Sequence, residues 1–122
     1  MKVIHCNTTT RSGGAAIAAM RLHHALRNEG VESLFAVAQS ETEQSDIVPL
    51  YEGKRKKLYS LLRIGEIAAL RALGARKNYL FSPALLPSFV HRQLNSFKPD
   101  IFHLHWLANA FMPIASLAKL AA

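Results

Sequence analysis

Short apolar runs and one helix-like repeat alternate along the first part of the chain. Residues 3–6 and 33–38 are mostly apolar runs that predict buried strands. Between them, the apolar positions of residues 15–26 recur with helical spacing, and Gly30 is placed to end that helix. Strand, helix and strand in this order predict a βαβ unit with parallel strands and a right-handed crossover. Residues 47–50 predict a short edge strand, because Pro49 is tolerated only at an edge.

A second helical pattern runs through residues 58–73. Its apolar positions share one helical face. The opposite face carries Lys56, Arg63 and Arg71, accompanied by Tyr59, Ile67 and Leu70. We therefore expect an amphipathic helix that packs its apolar face against the sheet. That face consists of Leu58, Leu61, Leu62, Gly65, Ala68, Ala69, Ala72 and Leu73.

The rest of the pattern completes an α/β chain. Residues 78–87 predict an unusually apolar loop, and Ser88 can cap a short helix after it. Residues 101–105 predict a third clear strand, and Pro113 can begin a last helix. We expect a Rossmann-like parallel sheet with flanking helices, and residues 1–122 to be part of one larger doubly wound domain, because three strands leave both sheet edges uncovered.

The net charge of +7 is concentrated in one segment. Residues 54–77 hold eight basic residues and one acid, and the rest of the chain is neutral. A single cysteine, the missing apolar leader and the absence of a long apolar run predict a cytoplasmic protein.

The basic segment has three interpretations that the sequence leaves open. It is a solvated face, a contact between copies of the chain, or a surface for anionic lipid or another polyanion. Positive charge at a helix start opposes the helix dipole, so helix stability does not explain the basic run. The patch residues are Lys54, Arg55, Lys56, Lys57 and Arg63.

A polar turn joins the first strand to the first helix and ends in Ser12, Gly13 and Gly14. A strand, a glycine-rich turn and a helix start present free backbone N–H groups to an anion. The spacing is not that of a dinucleotide-binding fingerprint or a P-loop. A phosphate cradle and a plain bend are both compatible with it.

The third predicted strand ends in a cluster of histidine and tryptophan residues. His103 and His105 share one face of the strand, which would suit a metal only with a third ligand. Since His23, His24 and His91 show no matching pattern, we expect no metal site and a hydrogen-bonded core role for His103. The side chains of His105 and Trp106 are expected to open onto a cleft at the carboxyl end of the sheet.

Two stretches resemble group 1 (family 4) glycosyltransferases. Residues 12–19 followed by Arg21, Leu22 and His23 resemble the family's first glycine turn and helix. Residues 98–106 resemble its P-D-I-hydrophobic-H-x-H-W strand, and residues 81–83 are similar to a segment of some members.

The resemblance implies an acceptor-side Rossmann-like domain, the first part of a two-domain (GT-B) enzyme. Such enzymes move a sugar from a nucleotide-sugar to a glycan or lipid-linked acceptor with retention of configuration, without a required metal or a permanently bound cofactor. It implies that Gly13 and Gly14, with Ser12 in the same loop, face the donor diphosphate, and that His105 and Trp106 border the acceptor cleft. It assigns no catalytic residue.

The resemblance also covers only part of such an enzyme. The nucleotide-sugar domain lies outside these residues, so the chain alone is expected to be inactive. The family includes peripheral membrane enzymes, which favours a lipid surface for the basic helix at the inner face of the membrane. The alternative is a non-catalytic anion-binding module that contacts nucleic acid, although only Tyr59 supplies an aromatic among the basic residues.

Overall fold

The computed structural model describes residues 1–40, 42–75 and 88–120. Within them lies one four-stranded sheet in which all neighbouring strands are parallel, in the order β3-β2-β1-β4. The strands are β1 (Lys2–Asn7), β2 (Glu32–Val37), β3 (Ile47–Pro49) and β4 (Ile101–Leu104). The helices are α1 (Gly14–Asn28), α2 (Lys54–Ala72), α3 (Val90–Ser96) and α4 (Ile114–Leu117).

This arrangement confirms the predicted α/β class and its parallel sheet. The apolar runs form β1 and β2 with α1 between them, and α1 ends before Gly30, whose φ of 78° is a left-handed conformation that glycine adopts without strain. Pro49 lies in the edge strand β3, as expected. The predicted loop at residues 78–87, with the 81–83 segment of the resemblance, lies outside the described residues.

One face of the sheet carries a continuous apolar core. Ile4 and Cys6 of β1 point to this face, because alternate residues of a strand point to opposite sides. Helices α3 and α4 cover it, and Tyr51 and Tyr59 extend it towards α2. The buried members are Ile4, Cys6, Ala36, Ala38, Leu50, Tyr51, Tyr59, Val90, Leu94, Ala110, Phe111 and Met112.

The opposite face, covered by α1, mixes apolar and polar groups. Helix α1 packs on β1 and β2, where Ala19, Phe35, Val37 and Ile47 form a smaller apolar cluster. The core side buries Ser88 and Ser116, and the α1 face buries several polar side chains of its own. These are His5, Asn7, His23 and Ser33.

Helix α2 corrects a sequence expectation. Its buried residues are Tyr59 and Glu66, whereas Leu58 is 55%, Leu61 66% and Leu73 85% exposed. The leucine face therefore does not pack against the sheet. The helix contacts the domain through the side that carries Tyr59, because the aromatic ring stacks on Tyr51 with centroids 4.5 Å apart.

Hydropathy adds one result on membranes. None of the helices in the described residues combines the length and the apolar character needed to cross a bilayer.

Candidate functional site

The loops that follow β1 and β4 meet at the carboxyl edge of the sheet. The backbone N–H of Thr8 donates to the carbonyl oxygen of Trp106 at 2.8 Å, and the Thr8 hydroxyl donates to the same oxygen at 2.8 Å. In return, the N–H of Trp106 donates to the Asn7 side-chain oxygen at 2.9 Å. These bonds join the glycine loop to the loop after β4, as expected for neighbouring parallel strands.

The two glycines at the start of α1 have different roles. Gly13 has φ 88° and ψ 164°, a region that is essentially restricted to glycine. Gly14 is the first helical residue, and a Cβ there would meet no atom within 4 Å. No side chain caps this helix and no acidic residue lies in its first turn, so its first N–H groups remain available to an anion.

A cleft of about 570 Å³ lies next to the glycine loop and has Ser12 in its lining, whereas Gly13, Gly14 and the residues of α1 do not line it. Three of its lining side chains are cations, Arg11, Lys56 and Arg63, and none of the described residues that line it is acidic. A concave site lined by one sign of charge concentrates ligands of the opposite sign. The other lining residues are Thr8, Thr9, Thr10, Ser12, Ala38, Gln39, Ser40, Tyr59 and Asn109.

The cleft brings together two features that the sequence kept apart. Ser12 comes from the predicted diphosphate loop, whereas Lys56 and Arg63 come from the predicted polyanion patch on α2. The patch is therefore divided. The residues lining the cleft do not include Lys54, Arg55 or Lys57, which are exposed elsewhere on α2.

A pair of tyrosines fixes α2 over the cleft. The Tyr59 hydroxyl donates to the carbonyl oxygen of Asn109 at 2.9 Å, and the Tyr51 hydroxyl donates to that of Phe111 at 3.1 Å. Asn109 and Ala110 have φ of 60° and 58°, a left-handed conformation that asparagine tolerates but that costs alanine about 1–2 kcal/mol. These hydrogen bonds therefore hold a strained loop at the site. This loop could not be predicted from the sequence, because the hydrogen-bonded partners are far apart along the chain.

A wider polar groove of about 810 Å³ adjoins the cleft. It shares Gln39, Ser40 and Lys56 with the cleft and adds the acidic residues Glu43 and Glu52. Its wall therefore offers both hydrogen-bond donors and acceptors, which suits a ligand rich in hydroxyl groups.

The predicted acceptor residues lie at the same edge but outside the cationic cleft. The Trp106 side chain is 38% exposed, and His105 is half-buried. Neither side chain lines the cleft, although the Trp106 backbone is bonded to its glycine loop. His103, expected in the core, is only partly buried, because α1 packs on β1 and β2 rather than on β4.

His5 is a site residue that the sequence did not indicate. It is fully buried, and its Nδ1 lies 3.1 Å from Nε2 of His105. Burial, followed by the neighbouring His103, His105 and His23, lowers the pKa of His5 to about 4. Burial and His103 also lower the pKa of His105. Both rings are therefore neutral at pH 7.

His23 belongs to a separate, structural network. Its Nδ1 lies 2.8 Å from the Ser33 hydroxyl, and its Nε2 lies 2.9 Å from an oxygen of Asp46, which also pairs with Arg27. Burial, His24 and Arg27 lower the pKa of His23 to about 4. The network ties α1 to β2 and to the segment before β3.

Comparisons with known protein families, with curated proteins and with solved structures give no match to this chain. The fold and the site define the class of the protein: it is an α/β protein with a parallel sheet and a cationic cleft at the carboxyl edge of that sheet.

Proposed function

We propose that this chain is the acceptor-side, Rossmann-like part of a retaining glycosyltransferase, which moves a sugar from a nucleotide-sugar to a glycan or lipid-linked acceptor. The observation that carries the proposal is the cationic cleft next to the glycine loop that precedes α1, at the carboxyl edge of a parallel sheet. This is where parallel α/β folds bind ligands. The two sequence stretches that resemble the family supply the loops of that edge.

The leaving group of such a transfer is a nucleoside diphosphate, and its charge must be stabilised as the sugar departs. Arg11, Lys56 and Arg63 would attract the diphosphate, and the glycine loop, which contributes Ser12 to the cleft lining, would contact its oxygens. Preorganised donors of this kind act where charge develops in the transition state. The nucleotide-sugar domain would hold the rest of the donor.

Two parts of the carboxyl edge would contact the acceptor, namely the polar groove on the β2–β3 side of the cleft and the residues His105 and Trp106 on its β4 side. Gln39, Ser40 and Glu43 offer the donors and acceptors that sugar hydroxyls require, and Trp106 offers an aromatic surface. We assign no catalytic residue in this part of the enzyme.

Binding of inorganic diphosphate to the chain tests the cleft directly. Titration calorimetry should show binding that weakens at least about tenfold in Lys56→Gln/Arg63→Gln, because each lost charge-assisted hydrogen bond is worth about 1.5–3 kcal/mol. The matched control, Lys57→Gln/Arg71→Gln, makes the same charge change on the same helix outside the cleft. Equal weakening in both variants would argue for non-specific attraction alone.

Sugar transfer tests the enzymatic part of the proposal. The protein assembled with its nucleotide-sugar domain should bind a nucleotide-sugar and transfer labelled sugar to a glycan or lipid-linked acceptor, with the anomeric configuration retained. Diphosphate binding without nucleotide-sugar binding or transfer would favour the alternative, a non-catalytic anion-binding module.

A second function is favoured by the outward face of α2. Leu58, Leu61 and Ile64 are 55%, 66% and 63% exposed, beside the cations Lys54 and Lys57. Exposed apolar residues flanked by cations fit the headgroup region of an anionic membrane. We therefore propose that this face docks the enzyme on such a surface, near a lipid-linked acceptor.

Vesicle flotation tests the membrane proposal. Vesicles with an anionic lipid should carry the chain, and Leu58→Ser/Leu61→Ser should abolish this, whereas neutral vesicles should not carry it. An oligonucleotide mobility-shift assay provides the counter-test. Salt-sensitive oligonucleotide binding without vesicle binding would favour a nucleic-acid surface instead.

A further inference from the structure

Three histidines meet on the α1 side of the sheet, between β1 and β4. His5 and His103 are directly paired in the parallel register, and His105 follows two residues later with its side chain on the same side. The ring centroids are 5.2 Å apart for His5 and His103, 5.4 Å for His5 and His105, and 4.2 Å for His103 and His105. Strand pairing therefore brings the three rings together.

The nitrogen positions suit coordination of one ion. One ring nitrogen from each histidine can be chosen so that all three lie within 4.8 Å of one another. In a tetrahedral site with metal–nitrogen bonds of about 2.0–2.1 Å, ligand nitrogens are about 3.3 Å apart. His5 Nδ1 and His105 Nε2, at 3.1 Å, already have nearly this spacing. Modest side-chain rotations would bring in His103.

The surroundings of the three histidines also favour binding of a metal cation. His5 is fully buried, and among the described residues its Nε2 has no hydrogen-bond partner, so its ring faces the cluster through Nδ1. The ionisable rings in contact with His5 are those of His103, His105 and His23. The three imidazoles share the hydrogen bond between His5 and His105, whereas a metal ion would use a lone pair of each ring.

An ion could reach the cluster without opening the core. Helix α1 packs on β1 and β2, and both His103 and His105 are only partly buried. The site is therefore closed on the His5 side and accessible on the β4 side. Cys6 is buried in the apolar core on the other face of the sheet, so it would not compete as a ligand.

We propose that His5, His103 and His105 form a three-histidine site for a divalent transition-metal ion such as Zn²⁺, with the fourth position open to water or to an oxygen ligand. Imidazole ligands suit Zn²⁺ and its first-row neighbours, and three protein ligands leave one position for exchange. The proposal replaces the expectation of no metal site, which did not consider His5, and it goes beyond the transferase function, for which the family resemblance implies no required metal.

Metal binding to the untagged, metal-stripped chain tests the site without any sugar donor or acceptor. Calorimetry with Zn²⁺ should show one ion per chain, and Co²⁺ should give the visible absorption of a four-coordinate site. His103→Asn should weaken Zn²⁺ binding by at least about tenfold. Loss of a residue that only supports a metal ligand already weakens binding about 10–100-fold, so loss of a ligand should cost no less. His24→Asn, an exposed histidine on α1, is the matched control and should leave the affinity unchanged.

A second measurement does not depend on the folding of a variant. In ¹⁵N spectra of the histidine rings of the unmodified chain, Zn²⁺ should shift the ring nitrogens of the three cluster residues and leave those of His24 unchanged. Absence of saturable Zn²⁺ binding, equal weakening by His103→Asn and His24→Asn, or shifts confined to other histidines would overturn the proposal.

Discussion

The two faces of the same sheet differ in the kind of residue they bury. On the α3 and α4 side, Ile4 and Cys6 meet a continuous apolar core. On the α1 side, the neighbouring residue His5 meets His23, His103 and His105, beside a smaller apolar cluster around Phe35. Neighbouring residues of β1 therefore have different roles: Ile4 and Cys6 pack in the apolar core, whereas His5 contacts other histidines.

The difference indicates how the work is divided in this fold. Burial of apolar surface on one face stabilises the sheet, because each fully buried leucine-sized side chain is worth about 1.5–3 kcal/mol. The other face can then carry buried histidines and a polar carboxyl edge. Buried polar groups there lower the stability unless they form hydrogen bonds. Substitutions on the two faces should have correspondingly different effects.

The largest effect is expected from the apolar face. Leu94 of α3 is 0% exposed and packs in the core, so Leu94→Ala should lower the free energy of unfolding by about 2–5 kcal/mol. His103→Ala on the other face, without added metal, should cost less than about 1 kcal/mol because the side chain is only partly buried. Urea unfolding measures both, and equal losses would contradict the division between the faces.

The two glycines at the start of α1 sharpen the comparison on the polar side. Gly13→Ala should lower the free energy of unfolding by about 1–3 kcal/mol, because φ 88° and ψ 164° disfavour any side chain. Gly14→Ala should be neutral or raise stability by up to about 1 kcal/mol, since alanine is the better helix former and meets no atom there. Thermal unfolding of the pair measures this. Similar effects at both glycines would contradict the glycine-specific backbone conformation of Gly13.

Tyr59, where α2 joins the apolar face, gives a prediction in alkaline solution. Burial, opposed by Arg63 and aided by Tyr51 and Glu66, raises the pKa of Tyr59 from 10 to about 12. The folded state then keeps a proton that the unfolded state loses, so this contribution to stability is fully present below pH 10 and disappears as the pH rises towards 12. At pH 11 the loss should be about 1.4 kcal/mol.

Tyr59→Phe isolates that contribution. At pH 7 the variant should lose about 1 kcal/mol, the value of the hydrogen bond to Asn109. Between pH 10 and 11 its unfolding free energy should fall less steeply than that of the unmodified chain. Parallel curves in denaturant unfolding across this range would assign the alkaline loss to other groups.

The smallest effect is expected on the outward face of α2. Leu61 is 66% exposed, so Leu61→Ser should change the free energy of unfolding by no more than about 0.5 kcal/mol. The sequence pattern alone would place Leu61 against the sheet and predict a loss of several kcal/mol. Chemical denaturation distinguishes these two expectations. A loss of several kcal/mol would show that Leu61 packs against the sheet after all.

Local pattern was sufficient for much of the fold. Continuous apolar runs predicted β1 and β2, helical spacing predicted α1 between them, and Pro49 predicted an edge strand. These features depend on alternation, chain stiffness and backbone hydrogen bonding within a few residues, so they can be recognised in a single sequence. The carboxyl-edge location of the glycine loop and of Trp106 follows from the parallel βαβ order alone.

Only the tertiary structure decided which residues meet. The side on which α2 packs depends on the stacking of Tyr59 on Tyr51, and hydrophobic periodicity indicated a different side. The cleft joins Ser12 to Lys56 and Arg63 across the chain, and the β1–β4 register sets His5 beside His103. Such contacts depend on register and helix rotation, which are fixed by packing between distant segments and leave no periodic signal in the sequence.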